Sequence, residues 1–282
     1  MSKPIIAFMY DFDRTLALSD MQNFSFIPSL GYTPEEFWKM TEEFCKKYDM
    51  DKILGYLYMM IKVSKEKGIK LTKEFLYECG KQIKFFEGVT TWFNRINEYA
   101  KSKGMIAEHY LITSGNKEIV EGSPIFKEFK QVFGCEYLFN EEGEAFWPRT
   151  IVNYTLKTQY IFRISKGAID SNDDKKVNEK TPQRRIIYQN MIYFGDGMTD
   201  VPCMILVKQN GGTSIAVYPK GKSEQVAHLF EDGRVNYICK ADYTANSELE
   251  KVVKLIIDSI SIRETLESKR EKIDKNLWFL QL

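Results

Sequence analysis

The apolar positions of the chain follow two different rhythms. From Ile5 to Tyr10, "IIAFMY" is an unbroken apolar run that stops at Asp11, with Asp13 two residues on. A short continuous run of this kind predicts a strand buried on both faces. Its two terminal carboxylates share a face, because side chains two apart on a strand point the same way. After Asp20 the period becomes helical. In "YTPEEFWKMTEEFCKKY", Thr33 is placed to cap a helix, Pro34 takes its first position and Glu36 completes a capping box. Phe37, Met40 and Phe44 then recur at helical spacing. "KILGYLYMMIKVSKEKG" and "LTKEFLYECGKQIKFF" predict two more helices, the second with Phe75, Cys79 and Ile83 on one stripe. The aromatic residues of these helices, Trp38 and Tyr56 among them, are expected mostly in packing.

From Gly88 onward strands and helices alternate. "TTWFNRINEYAKSKG" predicts a helix, "EHYLITSG" a strand, "FKEFKQVFG" a helix, "CEYLFN" a strand and "TLKTQYIFRI" a helix. "NMIYFGDG" and "TSIAVYP" follow as strands. "SELEKVVKLIIDSI" follows as a helix with Ser247 and Glu250 in capping positions. Alternation of this kind predicts an α/β fold: a Rossmann-like, doubly wound parallel sheet with helices on both faces. The core then comprises residues 1–17 and 87–282, and residues 18–86 form a helical block inserted after the first strand. The polar stretch over 166–190 fits neither rhythm and is expected as a surface excursion.

Composition narrows the classes. The 282 residues are 44% hydrophobic, enough for a sizeable core. With 40 Lys and Arg against 39 Asp and Glu, nothing points to a nucleic-acid binder. No stretch approaches the roughly 20 apolar residues of a membrane span. The N-terminus enters a strand at once, without the pattern of a signal peptide. Five dispersed cysteines without a CxxC pair are expected as reduced thiols in a cytoplasm, and two histidines make a zinc site a poor expectation. His109 and Cys203 read as structural.

Three strand ends carry the chemistry. They are Asp11-Phe12-Asp13-Arg14-Thr15, then Thr113-Ser114-Gly115-Asn116, then Gly195-Asp196-Gly197-Met198-Thr199-Asp200. Open parallel sheets bind ligands at the carboxyl ends of their strands, so the three tips are expected around one crevice. Asp11 and Asp196 could share a hard cation there. Each motif alone has an ordinary reading as a turn, a helix cap or a solvated loop. Their joint occurrence in this order is what carries weight.

That order, DxDxT, a strand ending in Thr-Ser-Gly, a lysine and GDGxTD, resembles the haloacid dehalogenase superfamily of phosphohydrolases, in its phosphoserine-phosphatase-like branch. The helical block sits where that family often carries a cap domain. The resemblance implies an Mg2+-dependent phosphatase acting on a small phosphorylated metabolite. Asp11 would be the nucleophile that becomes an aspartyl phosphate, and Asp13 the general acid and base. Ser114 and Gly115, with Thr113 less favoured than Ser114, would hold the phosphoryl group, and Thr15 would join them while fixing the loop. Asp196 would bind Mg2+ with Asp11 and the backbone carbonyl of Asp13, and Asp200 would bind it or support its ligands. The family's lysine is Lys157 by preference, then Lys166; Lys180 is also within reach, and Arg14 either contacts substrate or pairs at the surface. A phosphotransferase or mutase, and a non-catalytic phosphate-binding module, are the alternatives. The sequence leaves the oligomeric state and the metabolite open.

Overall fold

The structure, a computed structural model, describes residues 3–170, 173–180 and 184–279. Its strands are β1 (Ile5–Tyr10), β2 (Ile106–Asn116), β3 (Gln131–Phe139), β4 (Ala145–Thr150), β5 (Met191–Gly195), β6 (Thr213–Tyr218) and β7 (Tyr237–Lys240). They form one sheet in the order β4-β3-β2-β1-β5-β6-β7, every pair parallel except β3 with β4. β1 lies at the centre because its apolar run can be buried on both faces, and Ile6 to Tyr10 are fully buried. The chain builds outward from β1 in both directions, so the strand order reverses there. Such a reversal opens a crevice at the carboxyl ends of β1, β2 and β5.

Between β1 and Gly88 the chain is helical: α1 (Phe26–Ser29), α2 (Pro34–Tyr48), α3 (Lys52–Glu66) and α4 (Lys73–Gly80). The capping box of α2 forms as its sequence requires, with Thr33 Oγ1 accepting from Glu36 N at 3.2 Å and Thr33 N donating to Glu36 Oε2 at 2.8 Å. The two chain segments flanking this block run side by side. Leu18 N donates to Lys84 O and Phe86 N to Leu16 O, both at 2.9 Å.

The remaining helices are α5 (Val89–Ser102), α6 (Lys117–Gly122), α7 (Leu156–Lys166), α8 (Asp174–Asn178), α9 (Val201–Gln209), α10 (Glu224–Glu231) and α11 (Glu248–Phe279). Two expected helices differ. The one expected through "LTKEFLYECGKQIKFF" stops at Gly80, where α4 meets α6 backbone to backbone. A Cβ on Gly80 would lie 1.9 Å from Ile119 O, and one on Gly122 1.8 Å from Tyr77 O. Ile83 is buried beyond the helix end. The helix expected over "FKEFKQVFG" is overturned. Phe126–Glu128 make a single turn, and Gln131 to Phe133 already pair with Tyr110 to Ile112. That parallel pairing satisfies the backbone, and tertiary context outweighs the local period. In the stretch over 166–190, residues 171–172 and 181–183 lie outside the described residues. No described helix is long and apolar enough to cross a membrane.

Candidate active site

Asp11 and Asp13 follow β1, Ser114 and Gly115 end β2, Asp196 follows β5, and Lys157 lies in the first turn of α7. All six line one cavity of about 580 Å³ between the carboxyl end of the sheet and helices α2 and α3.

Asp11 is held from several sides. Its backbone N donates to Phe194 O at 2.9 Å, which fixes the strand end. Its Oδ1 accepts from Lys157 Nζ at 2.7 Å and its Oδ2 from Thr15 Oγ1 at 3.1 Å. Burial pushes the Asp11 carboxyl up to about 6, against the restraint of the Lys157 charge. Lys157 is itself buried, which disfavours its charge. Asp11 and Asp200 outweigh that effect and hold its pKa above the usual lysine range.

Asp200 is fully buried and does not line the cavity. Its Oδ1 accepts from Lys157 Nζ and from Tyr193 OH, each at 2.8 Å, and its Oδ2 from Asp196 N at 3.3 Å. It thus ties the lysine to the loop that carries Asp196. Asp13 Oδ1 accepts from Met21 N at 2.8 Å. Burial, then the charges of Asp20 and Asp11, raise its carboxyl well above the ordinary range. Gly115 leaves little room beside it: a Cβ there would fall 2.1 Å from Met21 Cε, so that the Met21 side chain would have to shift, and 3.3 Å from Asp13 Oδ2. Arg14 adopts a left-handed φ of 59° and donates to Asp20 Oδ2 at 2.8 Å.

Ser114 Oγ is buried and has no partner among the described residues. A buried hydroxyl left unpaired costs free energy, and an acceptor arriving in the cavity would remove that cost. Thr113 is turned away, its Oγ1 accepting from Gly115 N at 2.9 Å.

The donor set suits a divalent cation. Carboxylate oxygens of Asp11, Asp196 and Asp200 lie within 4.8 Å of one another. Burial and neighbouring acids push Asp196 well above its ordinary range. Asp11 and Asp200 share the one buried ammonium of Lys157, and the hard carboxylate oxygens of this group match Mg2+. The Asp13 carboxylate lies outside this oxygen group.

Other expected site residues lie elsewhere. Thr15 is fully buried behind Asp11 and does not line the cavity, and its hydroxyl supports the Asp11 carboxylate. Lys166 donates to the carbonyls of Val177 and Glu179, and Lys180 is exposed. The excursion after α7 therefore separates Lys157 from Asp196 in sequence while α7 keeps it under the site. The far wall was not legible in the sequence. Trp38, Thr41, Lys52 and Tyr56 line the cavity, so two aromatics expected in packing also face it. Their spacing on α2 and α3 is the ordinary helical period, which carries no mark of a site.

No family model matches the chain. It is 29% identical over 275 residues, 87% of its length and 94% of the relative's, to an uncharacterized protein of Borreliella burgdorferi. Among solved structures it is similar to a HAD family hydrolase of Salmonella enterica serovar Typhi, with a TM-score of 0.55 and 15% identity over 84% of this chain and 67% of that one. It is similar to a phosphoserine phosphatase in a phospho-aspartyl intermediate analogue form, at 0.53 and 16% over 90% and 99%. A substrate-bound phosphoserine phosphatase complex gives 0.54 and 14%, over 90% and 99%.

Proposed function

We propose that this chain, whose fold is that of the phosphoserine-phosphatase-like haloacid dehalogenase hydrolases, is a phosphomonoesterase that works through an aspartyl phosphate. The observation that carries the proposal is the Asp11 carboxylate, held by Lys157 at 2.7 Å and facing the same cavity as the unpartnered Ser114 hydroxyl.

In this reading Ser114 Oγ donates to a phosphoryl oxygen of the bound ester. A carboxylate oxygen of Asp11 attacks phosphorus in line, and the bond to the leaving alkoxide breaks. Asp13 gives that alkoxide its proton. Asp13, now a carboxylate, takes a proton from water as the water attacks the phosphoenzyme. Inorganic phosphate leaves, and Asp11 and the Asp13 proton are restored. Lys157 stays charged throughout and stabilises the charge that builds between Asp11 and the phosphoryl group. Asp200 keeps Lys157 in place. Asp11, Asp196 and the Asp13 carbonyl would hold Mg2+, which when bound would supply positive charge for an anionic ester beside the carboxylates.

Residues 18–86 serve as the cap over a core of 1–17 and 87–282, with α2 and α3 contributing the wall that meets the leaving group. The substrate is a small phosphorylated metabolite. A cytoplasmic setting accords with five unpaired, buried cysteines.

The test is release of inorganic phosphate from p-nitrophenyl phosphate with Mg2+ present. Turnover that disappears in Asp11→Asn supports the reading. Binding of phosphate without turnover by the native chain would leave a binding module in its place.

A further inference from the structure

The C-terminal helix leaves the body of the protein. α11 runs for 32 residues, about 48 Å at 1.5 Å per residue. Its first half is anchored. Leu249, Val253, Ile256, Ile257 and Ile260 are buried, and Arg263 and Glu264 bond to the turn at Gln189 and Asn190. From Thr265 to Asp274 every side chain except that of Ser268 is exposed.

Beside the anchored face, starting at a groove that Leu255 shares with Gln189, Gly211 and Tyr237 of the body, runs a second apolar stripe. Leu255, Ile262, Leu266 and Ile273 are 68%, 62%, 62% and 59% exposed. At 100° per residue the four fall within a band about 40° wide and about 27 Å long. A band this narrow matches a coiled-coil seam; a membrane-binding face would be broader. The intervals between the four residues are seven, four and seven, which read the same in both directions.

We infer that this stripe pairs with the same stripe of a second copy of the chain, antiparallel, about a two-fold axis beside Glu264. Leu255 then meets Ile273 of the second copy, and Ile262 meets Leu266 of the second copy. The two-fold makes each contact occur twice, as an isologous interface requires. The charges choose the direction. Along one flank of the stripe lie Asp258, Thr265 and Lys272, seven apart. Antiparallel pairing sets Lys269 against the exposed Ser259 of the other copy, and brings Lys272 beside Asp258, whose partly exposed carboxylate is already held within its own chain by Lys103 Nζ at 2.8 Å and Tyr99 OH at 2.9 Å. Parallel pairing would oppose Lys269 to Lys269 in the seam and bring both bodies to the same end. Eight apolar side chains along this length bury on the order of 1,000 Å², the low end for a specific dimer, so the expected association is weak and concentration-dependent.

Sedimentation of the full chain across concentration tests the pairing. A monomer–dimer equilibrium is expected, with Leu266→Glu raising the dissociation constant at least about tenfold and leaving the thermal melt unchanged at concentrations where the native chain is monomeric, because Leu266 is exposed in the monomer. The direction is read by disulfide trapping. The five native cysteines are buried, so Leu255→Cys and Ile273→Cys supply the reactive thiols. Mixing the two variants should cross-link one to the other, while Leu255→Cys alone should not link to itself. Self-linking of Leu255→Cys would overturn the antiparallel arrangement. A chain that stays monomeric at the highest concentration, or one whose dimer survives Leu266→Glu, would overturn the pairing. So would a monomer that floats with anionic phosphatidylserine vesicles through the same stripe.

Discussion

Tyr56 on α3 donates its hydroxyl proton to the backbone carbonyl of Ser114 across 2.6 Å, joining the helical block to the strand end that carries the unpartnered Ser114 hydroxyl. The same carbonyl accepts from Cys135 Sγ at 3.3 Å, a weaker donor. The position of Ser114 therefore depends on a residue 58 positions away in the wall of the cavity. Tyr56→Phe keeps the ring and removes the bond. A net hydrogen bond of about 1 kcal/mol predicts a fall in kcat/KM toward p-nitrophenyl phosphate of roughly fivefold. An unchanged kcat/KM would mean that Ser114 is held without Tyr56.

The contact of α4 with α6 makes a prediction whose sign runs against helix propensity. Alanine in place of a helical glycine ordinarily stabilises by about 1 kcal/mol. At Gly122 the new methyl would fall 1.8 Å from Tyr77 O, a backbone atom that cannot swing aside. Gly122→Ala is expected to destabilise by about 2 kcal/mol or more, measured by urea unfolding. A stabilised variant would show that the two helices are not in contact in solution. This contact also bears on motion. α4 is seated on the core through backbone, so under the proposed function an opening that admits substrate is expected of α2 and α3.

The sequence made the centre of the site legible because its chemistry is local to strand ends. Asp11, Asp13, Ser114 and Asp196 each sit where a buried apolar run breaks into polar residues, and a parallel sheet brings such breaks together. Lys157 was reachable by a different signal, a lysine opening a helix after a strand. The support behind these residues was harder to see. Thr15 and Asp200 lie within recognised motifs, yet which atom each would touch depends on rotamers and burial that spacing does not encode. Trp38 and Tyr56 were least legible, because an aromatic on a helix looks the same whether it faces core or cavity. The turn at Phe126–Glu128 and the start of β3 were lost to a local helical period that strand pairing overrode.

Glu118, four residues after Ser114, predicts how stability varies with pH. It is buried on α6. Its Oε1 accepts from Tyr137 N at 2.8 Å, and its Oε2 has no partner among the described residues. Burial raises its carboxyl from 4.5 to about 7, with the Tyr137 bond opposing. The folded state therefore prefers the protonated acid. Its contribution to stability is full below pH 4.5 and is lost as pH rises through about 7. Glu118→Gln removes the titration, so variant and native chain should melt together near pH 4.5. At pH 8 the variant should be more stable by on the order of 2–3 kcal/mol. A gap that opens on the acid side instead would refute the assignment.

Separating the two aspartates tests the proposed chemistry itself. Asp11→Asn replaces the nucleophile with an amide and relieves repulsion among the buried acids, so the fold should persist while turnover disappears. Asp13→Asn leaves Asp11 and its Lys157 partner in place and removes the proton carrier. Acid–base help of this kind is worth roughly 100- to 10,000-fold. An aryl phosphate needs little protonation of its leaving group, so its first step should suffer less than that of an alkyl phosphate. The second step still lacks a base for the attacking water, and the phosphoenzyme should accumulate. Intact-protein mass after mixing Asp13→Asn with p-nitrophenyl phosphate should therefore rise by one phosphoryl group. The added mass should be absent when Asp11→Asn is present in the same chain. If the phosphoryl group persists in that double variant, the nucleophile is another residue. If Asp13→Asn turns over alkyl and aryl esters at the native rate, Asp13 is not the proton carrier, and its contact with Met21 N is structural.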